Sequence, residues 1–247
     1  MSKEEVPERL QKVLAQRGFG SRREIESWIE EGKILVNGKR AILGCKITAQ
    51  DEIEVNGRAI TNTTKAIPSK NRIILYNKPL GEICTRSDPE GRPTVFEALP
   101  SLTGQRWVAV GRLDINSSGL ILFTTDGELA NKLMHPSADI EREYAVRLLG
   151  VVTPEIHRKV TTGVVLDDGT RAKFTNMTFV GGSGANTWHN VTLKEGKYRE
   201  VRRILETQGL QVNRLIRIRY GTVKLPKDLP EGEYQELDYN LLKMDFK

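Results

Sequence analysis

Cysteine and histidine are scarce in this chain of 247 residues, which contains two cysteines and three histidines. Cys45 and Cys84 cannot form a disulfide framework, and His135, His157 and His189 are scattered without the spacing of metal ligands. The sequence also lacks a Walker phosphate-binding loop and a dinucleotide-binding glycine motif. These absences argue against a bound metal or nucleotide cofactor, so no cofactor is expected.

Long hydrophobic runs are also missing. No apolar run exceeds four residues, whereas a membrane-spanning helix needs about 20. The first ten residues, MSKEEVPERL, contain no apolar signal core. We therefore expect a cytoplasmic protein that does not contact a membrane.

Basic residues exceed acidic ones, 38 to 32, which gives a net charge of +6. This excess suits a polyanionic partner, but an ordinary soluble protein can carry it too. Its distribution says more, because eight basic and three acidic residues lie between Lys194 and Arg219. This net charge of +5 predicts a positive surface that could bind backbone phosphates.

The N-terminal segment has the pattern of two short helices followed by strands. Leu10, Val13 and Leu14 have helical spacing, and Gly18 stands where that helix would end. A second helix is predicted from the Ser21 and Glu24 capping box to Gly32. The runs ILVNGK and DEIEVNG predict strands that end in Asn-Gly turns. On this helix pair, the basic residues expected on the solvated side are Arg9, Lys12, Arg22 and Arg23; they either bind RNA or form ordinary surface ion pairs.

The polar stretch from Asn56 to Lys70 has no sustained periodicity, which indicates a linker. After it, strands are predicted at RIILY, WVAV, LILFTT, EYAVRLL, HNVTL and NRLIRIRY, and helices at GELANKLM and REVRRILETQG. The pattern is typical of an α+β fold with a mixed or antiparallel sheet. We predict two domains, residues 7–66 and 71–247.

An aspartate stands in the loop of the stretch VGRLDINSSGLILFTTDGELAN, which runs from Val110 to Asn131. Asp114 is followed by INSSG, so its carboxylate could close an Asx-type turn by accepting backbone amides. Alternatively, it could perform chemistry. The spacing by itself does not decide between these two roles.

Four ordered motifs around this loop resemble those of bacterial ribosomal pseudouridine synthases of the RsuA/RluB group. GRLDINSSGLILFTTDGELAN is similar to the aspartate motif of that group. YNKPLG, which precedes it, and EREYAVRLLG, EGKYREVRR and RLIRIRYG, which follow it, are similar to the other motifs of the group and occur in the same order. Gly81–Pro100 resembles the RluB branch, which modifies large-subunit RNA. The first segment resembles the alpha-L RNA-binding domain of ribosomal small-subunit protein four. The resemblance spans nearly the whole chain.

The resemblance implies an isomerase that detaches a uracil from its ribose, rotates it and reattaches it through carbon 5. It assigns catalysis to Asp114, as nucleophile or as base for glycal formation, to Tyr144, which stacks on the target base, and to Arg202, which keeps the carboxylate ionised. It also implies that Arg112 fills the space left by the flipped uridine and that Leu215 contacts the base. Each assignment has a plainer alternative. Tyr144 and Leu215 could be core residues, Arg202 could be a phosphate contact, and Arg112 could form a structural salt bridge.

Two departures from the family pattern concern basic residues. Arg142 stands where many relatives carry lysine, and Arg199 and Glu200 stand where many carry His-Gln. Arg199 and Arg203 are predicted to bind RNA. Lys78 is expected to support its motif structurally.

The expected partner is ribosomal RNA, specifically 23S rRNA as free RNA or in a precursor particle, and the expected oligomeric state is a monomer. Two other functions stay open. One is a sister synthase that acts on another 23S or 16S rRNA uridine. The other is a non-catalytic rRNA-binding assembly factor.

Overall fold

The computed structural model describes residues 6–60, 70–240 and 242. Two compact units make up the chain. The first takes the N-terminal stretch to Asn71 together with Ser101–Trp107 and Thr125–Gly127, and the second takes Arg72–Pro100, Val108–Thr124 and the chain from Glu128 onward. Among the described residues, none forms a helix long and apolar enough to cross a membrane.

The N-terminal stretch contains two short helices and six short strands, namely β1 (Glu8–Arg9), α1 (Leu10–Gln16), α2 (Arg22–Glu30), β2 (Ile34–Val36), β3 (Lys39–Arg40), β4 (Lys46–Ile47), β5 (Ile53–Val55) and β6 (Arg58–Ile60). Strands β3, β2, β5 and β6 form an antiparallel sheet in that order, and β1 pairs with β4. One face of each helix packs with this sheet in a single apolar cluster that includes Leu10, Leu14, Ile25 and Ile53.

The local signals in this stretch predict its structure correctly. Ser21 and Glu24 form the predicted capping box, each side chain bonding the other residue's backbone NH. The two Asn-Gly pairs adopt the positive φ that tight hairpin turns require. The linker prediction for Asn56–Lys70 is wrong at its start, because Arg58–Ile60 pairs with β5 as a strand; residues 61–69 lie outside the described part of the chain.

In the described part of the chain after residue 69, the elements with described bounds are eleven strands and three α-helices, namely β7 (Ile73–Lys78), β8 (Val108–Val110), β9 (Ser118–Thr124), α3 (Gly127–Met134), β10 (Arg142–Leu149), α4 (Pro154–Thr162), β11 (Val164–Val165), β12 (Arg171–Ala172), β13 (Asn176–Ser183), β14 (Asn186–Leu193), α5 (Glu200–Glu206), β15 (Gln211–Tyr220), β16 (Val223–Lys224) and β17 (Tyr234–Leu237). A 3-10 turn spans Pro136–Ala138. This set of strands and helices belongs to the predicted α+β class.

Nine strands form one mixed sheet in the order β13-β14-β10-β15-β9-β7-β17, with β8 added to β9 and β16 to β15. Every pair is antiparallel except β15 and β9. All residues of β7 and β9 are buried, as expected for central strands covered on both faces. The six strands predicted from the sequence are present. The elements in this part of the chain that were not predicted are helix α4 and strands β11, β12, β13, β16 and β17.

The parallel pair in the middle of the sheet fixes the loop that carries Asp114. Gly119 of β9 lies opposite Arg217 of β15 and has φ +97, a conformation that favours glycine. A Cβ at this position would lie 2.8 Å from the Arg217 backbone nitrogen and closer still to its carbonyl oxygen. Only glycine therefore lets the two strands approach here, directly after the Asp114 loop.

Candidate active site

A cleft of about 1160 Å³ opens where the Asp114 loop meets strands β10 and β15. The loop connects β8 to β9 and contributes Arg112, Leu113 and Asp114 to the lining. Tyr144 contributes from β10 and Leu215 from β15. The fold thus brings residues that are a hundred positions apart into one cavity.

Asp114 is half-buried in this cleft. Its backbone carbonyl accepts the Ser117 amide at 3.0 Å and closes the turn. Among the described residues, its carboxylate accepts no hydrogen bond and belongs to no ion pair. The Asx-turn alternative is therefore wrong: the main chain makes the turn, and the carboxylate remains open to a ligand.

Lys78 holds the end of the Asp114 loop through hydrogen bonds to the main chain. The side chain is fully buried, and its ammonium donates to the carbonyls of Ser117 at 2.8 Å and Pro79 at 2.9 Å. Burial lowers the pKa of Lys78, and the nearby charges of Cys84, Glu82 and Asp114 oppose that shift. This arrangement agrees with the structural role expected of Lys78.

Arg202 reaches the same loop from helix α5 without lining the large cleft. Its Nη2 donates to the Asn116 carbonyl at 2.7 Å, and its Nη1 donates to the Val212 carbonyl at 2.9 Å. It lines a neighbouring cavity of about 330 Å³. Burial and the charge of Arg199 lower the pKa of Arg202, and the charge of Asp114 raises it. Arg202 thus interacts with Asp114 through space and holds its loop through the backbone.

The other sequence-predicted residues divide between the cleft and its surroundings. Arg112 is exposed and lines the cleft. Arg199 also lines it, is partly exposed, and stands at the N-cap position of α5 with φ +46 and no side-chain capping bond. Tyr144 and Leu215 are buried in the cleft wall. Arg203 points elsewhere, since its guanidinium is paired with Asp167 and Asp168.

In the N-terminal stretch, Arg9, Arg22 and Arg23 are exposed as predicted. Lys12 is partly covered and donates to Glu8 at 2.6 Å. Three cationic side chains therefore face solvent on or beside the helix pair, and the fourth is neutralised locally.

The expectation of a local positive surface formed by the eight basic residues from Lys194 to Arg219 needs correction. Arg202 and Arg217 are buried. Several others are paired with acidic groups: Lys194 with Asp139, Lys197 with Glu195, Arg203 with Asp167 and Asp168, and Arg219 with Glu141 and Glu143. Because counting charges ignores burial and pairing, it overstates the charge available to a polyanion.

Arg142 and Arg217 are cleft residues that the sequence did not single out as functional. The Arg142 guanidinium donates to the carbonyls of Ile140 and Lys194 and to the Tyr220 hydroxyl. Arg217 could have been found from strand alternation, because it lies two residues after Leu215 and therefore on the same face of β15. No group of three or more metal-binding side chains occurs among the residues that the structure describes.

Comparisons with known proteins agree with this architecture. Residues 72–207 match the family described as RNA pseudouridylate synthase, and residues 8–53 match the S4 domain. A Salmonella typhi protein named ribosomal large subunit pseudouridine synthase B is 56% identical over 236 residues, covering 95% of this chain and 80% of its own length. A protein of the same name from Escherichia coli O6:H1 is 57% identical over 235 residues, with 94% and 80% coverage.

A solved structure of a pseudouridylate synthase also resembles nearly the whole chain. It superposes with a TM-score of 0.66 at 26% sequence identity, covering 96% of this chain and 99% of its own. The likeness therefore extends over the folded architecture as well as the sequence.

Proposed function

We propose, on the premise that this chain belongs to the RNA pseudouridylate synthase family, that it converts one uridine of 23S ribosomal RNA to pseudouridine. Enzymes of this family catalyse an isomerisation, and their substrate is RNA. The choice of large-subunit RNA is supported by the names of the similar proteins and by the resemblance of Gly81–Pro100 to the RluB branch.

One observation carries the assignment of the site. The Asp114 carboxylate is unpaired among the described residues and lies in the cleft that Tyr144, Leu215 and Arg112 also line. A half-buried carboxylate without a protein partner is available to react with a bound sugar or base. The alternative of a purely RNA-binding surface gives no reason for this arrangement.

Asp114 acts on the nucleoside whose glycosidic bond is broken. It either attacks C1′ as a nucleophile or removes a sugar proton as a base that leads to a glycal. In both routes the base is detached, turned and rejoined through C5. No net oxidation or phosphoryl transfer occurs, so the reaction requires no redox or nucleotide cofactor.

Tyr144, Leu215 and Arg112 position the uridine. A base must leave its stack to be reached, at a cost of a few kcal/mol. The Tyr144 ring and the Leu215 side chain, which are both in the cleft wall, are suited to contact the everted base. Tyr144 can also relay the proton lost from C5. Arg112 is exposed at the same cleft and is suited to occupy the vacated position in the RNA.

Arg202 completes the catalytic group, and Arg199 and Arg203 serve RNA binding. The charge of Asp114 raises the pKa of Arg202, and this attraction between the two groups supports the assignment of Arg202 to the catalytic group. Arg199 lines the cleft and can contact a phosphate directly. For Arg203, RNA binding requires exchange of its two aspartate partners for phosphate, since those ion pairs now occupy its guanidinium.

The domain assignment completes the proposal. Residues 7–66 hold folded RNA, with Arg9, Lys12, Arg22 and Arg23 as phosphate contacts, and residues 71–247 perform catalysis. Residues 61–66, 241 and 243–247 of these ranges lie outside the described part of the chain. The enzyme works as a cytoplasmic monomer on free RNA or a precursor particle.

Replacement of Asp114 by Asn tests the function. The amide has nearly the same shape but cannot attack C1′ or remove a proton. We expect loss of pseudouridine formation, detected by carbodiimide primer extension on ribosomal RNA, with RNA affinity unchanged. Retained activity in Asp114→Asn would refute the assignment of Asp114. An unchanged modification pattern with wild-type protein and every ribosomal RNA would instead favour a non-catalytic binding factor.

Mapping the modification lost in a deletion strain identifies the uridine. Loss at one 23S position is the expected result. Loss in 16S rRNA would show that the enzyme is a sister synthase of the small subunit.

A further inference from the structure

The Arg217 guanidinium is buried in the middle of strand β15, with a relative exposure of 2%. Its Nε donates to the Leu120 carbonyl at 2.6 Å, and its guanidinium carbon lies 5.3 Å from the centre of the Tyr220 ring. Among the described residues it makes no other hydrogen bond, and Nη2 is buried without a partner. Most of the donors of this cation are therefore unused.

The fold directs Arg217 toward the Asp114 cleft. Arg217 and Leu215 are two residues apart, so their side chains lie on the same face of β15. Arg217 also lies opposite Tyr144 in the antiparallel register, which places the side chains of Arg217 and Tyr144 side by side. All three residues line the cleft with Asp114. The Ser117 hydroxyl, another lining group, is also buried without a partner. The cleft that contains the Asp114 carboxylate thus also contains unused polar groups.

Two other arginines are already engaged in structural contacts. Arg202 gives both terminal nitrogens to backbone carbonyls, and Arg219 is paired with Glu141 and Glu143. Arg217 has no acidic partner among the described residues. Because a buried cation without a counter-charge is unfavourable, its position is best explained by an anion that arrives with the substrate.

We propose that Arg217 stabilises the uracil anion that leaves the ribose when the glycosidic bond is broken. This inference rests on the proposed function. If Asp114 attacks C1′, a new C1′–O bond forms as the C1′–N1 bond breaks. If Asp114 removes the C2′ proton, a C1′–C2′ double bond forms instead. In both cases the electron pair of the broken bond leaves with the base.

The released base carries its negative charge on N1, O2 and O4 until C5 bonds to C1′. Reattachment breaks the new C1′–O bond or reprotonates C2′, and the C5 proton then passes to a base. We place the Arg217 donors against the detached base, where they act from the breaking of the C1′–N1 bond until C5 bonds to C1′. A cation that is already fixed in position stabilises such a charge strongly, since it requires no reorganisation.

The experiment compares Arg217→Met and Arg217→Lys in the full-length protein under single-turnover conditions. Arg217→Met should slow detachment by roughly 100-fold, a loss typical of removing one preorganised donor from a charge-stabilising site. Arg217→Lys should recover part of this rate, and RNA affinity should stay within about twofold of wild type because the phosphate contacts are intact. Circular dichroism and thermal melting identify variants that fail to fold.

A second substrate makes the test specific. RNA with 5-fluorouridine at the target releases a more acidic base, which needs less stabilisation, so its consumption should fall less in Arg217→Met than that of uridine. Arg219→Met is the matched control, because Arg219 lies on the same strand but outside the cleft lining. Its effect should be equal on both substrates.

The proposal is overturned if a folded Arg217→Met enzyme keeps the wild-type rate or slows both substrates by the same factor. If Arg217→Met does not fold, the same comparison is made with Arg217→Lys, where an equal effect on the two substrates also overturns it. Failure of the wild-type protein to modify any RNA would instead count against the proposed function.

Discussion

Arg202 holds the main chain at Asn116, two residues after Asp114, by donating Nη2 to the Asn116 carbonyl at 2.7 Å. Its second bond, to Val212, anchors the same guanidinium to strand β15. The arginine therefore connects helix α5, the central sheet and the aspartate loop. Arg202, which was assigned an electrostatic role, therefore also holds the loop that carries the Asp114 carboxylate.

Replacement of Arg202 by Met should reduce turnover more than RNA binding. The variant leaves two carbonyls without their donors. The loss at the buried Val212 carbonyl costs about 1–3 kcal/mol, whereas Asn116 is exposed and its carbonyl can bond water. We expect a lower free energy of unfolding in urea and a fall in kcat with little change in Kd for RNA. Arg202→Lys is the control, since it keeps the charge but cannot reach both carbonyls in the same geometry. A fall in RNA affinity alone would show that Arg202 is a phosphate contact.

Replacement of Gly119 by Ala should destabilise the protein by about 2–5 kcal/mol. Positive φ costs a residue with a Cβ roughly 1–2 kcal/mol, and overpacking typically adds about 1–3, here against the Arg217 backbone. Gly169→Ala is the control, because Gly169 has φ +80 and nothing within 4 Å of its added Cβ. Chemical denaturation measures both variants, and equal losses would contradict the steric argument.

The Asp88 carboxyl should titrate well below its ordinary range. Hydrogen bonds from the Arg92 side chain and backbone lower the pKa of Asp88 from 3.8 to about 2. Its pKa is depressed in the folded state, so its contribution to stability is complete above pH 3.8 and is lost as the pH falls toward 2.

Carbon-detected NMR of the carboxyl resonances measures this titration directly. In Arg92→Met the Asp88 pKa should return toward its ordinary value, since the guanidinium donors are removed. An unchanged midpoint in that variant would show that Arg92 does not cause the shift.

Replacement of both Arg22 and Arg23 by Ala should weaken RNA binding without changing the single-turnover rate at saturating RNA. Both side chains are exposed at the start of α2. Each lost phosphate contact should reduce the slope of log K against log salt by about 1. The Arg22→Lys, Arg23→Lys double variant keeps the charges and should keep the slope. If the Ala variant has the wild-type slope, these residues are ordinary surface cations.

Features that depend on near neighbours were predicted well. The Ser21 and Glu24 capping box, the Asn-Gly turns and the buried runs of β7 and β9 each follow from residues within a few positions of one another. Helix α4 was missed although Thr153 caps it and Pro154 begins it, so a local signal was present. The missed strand β6 had a weaker signal, because its three residues are stabilised by pairing with β5.

The sequence by itself determined the local structure and the residues available for chemistry, because caps, turns and periodicity act over a few positions along the chain. Tertiary structure alone decided how each charge is used. It buried Arg217 against the cleft, gave Arg202 to two carbonyls, and left the Asp114 carboxylate without a described partner. Burial and long-range pairing set the energy of a charge, and neither is visible in the order of residues.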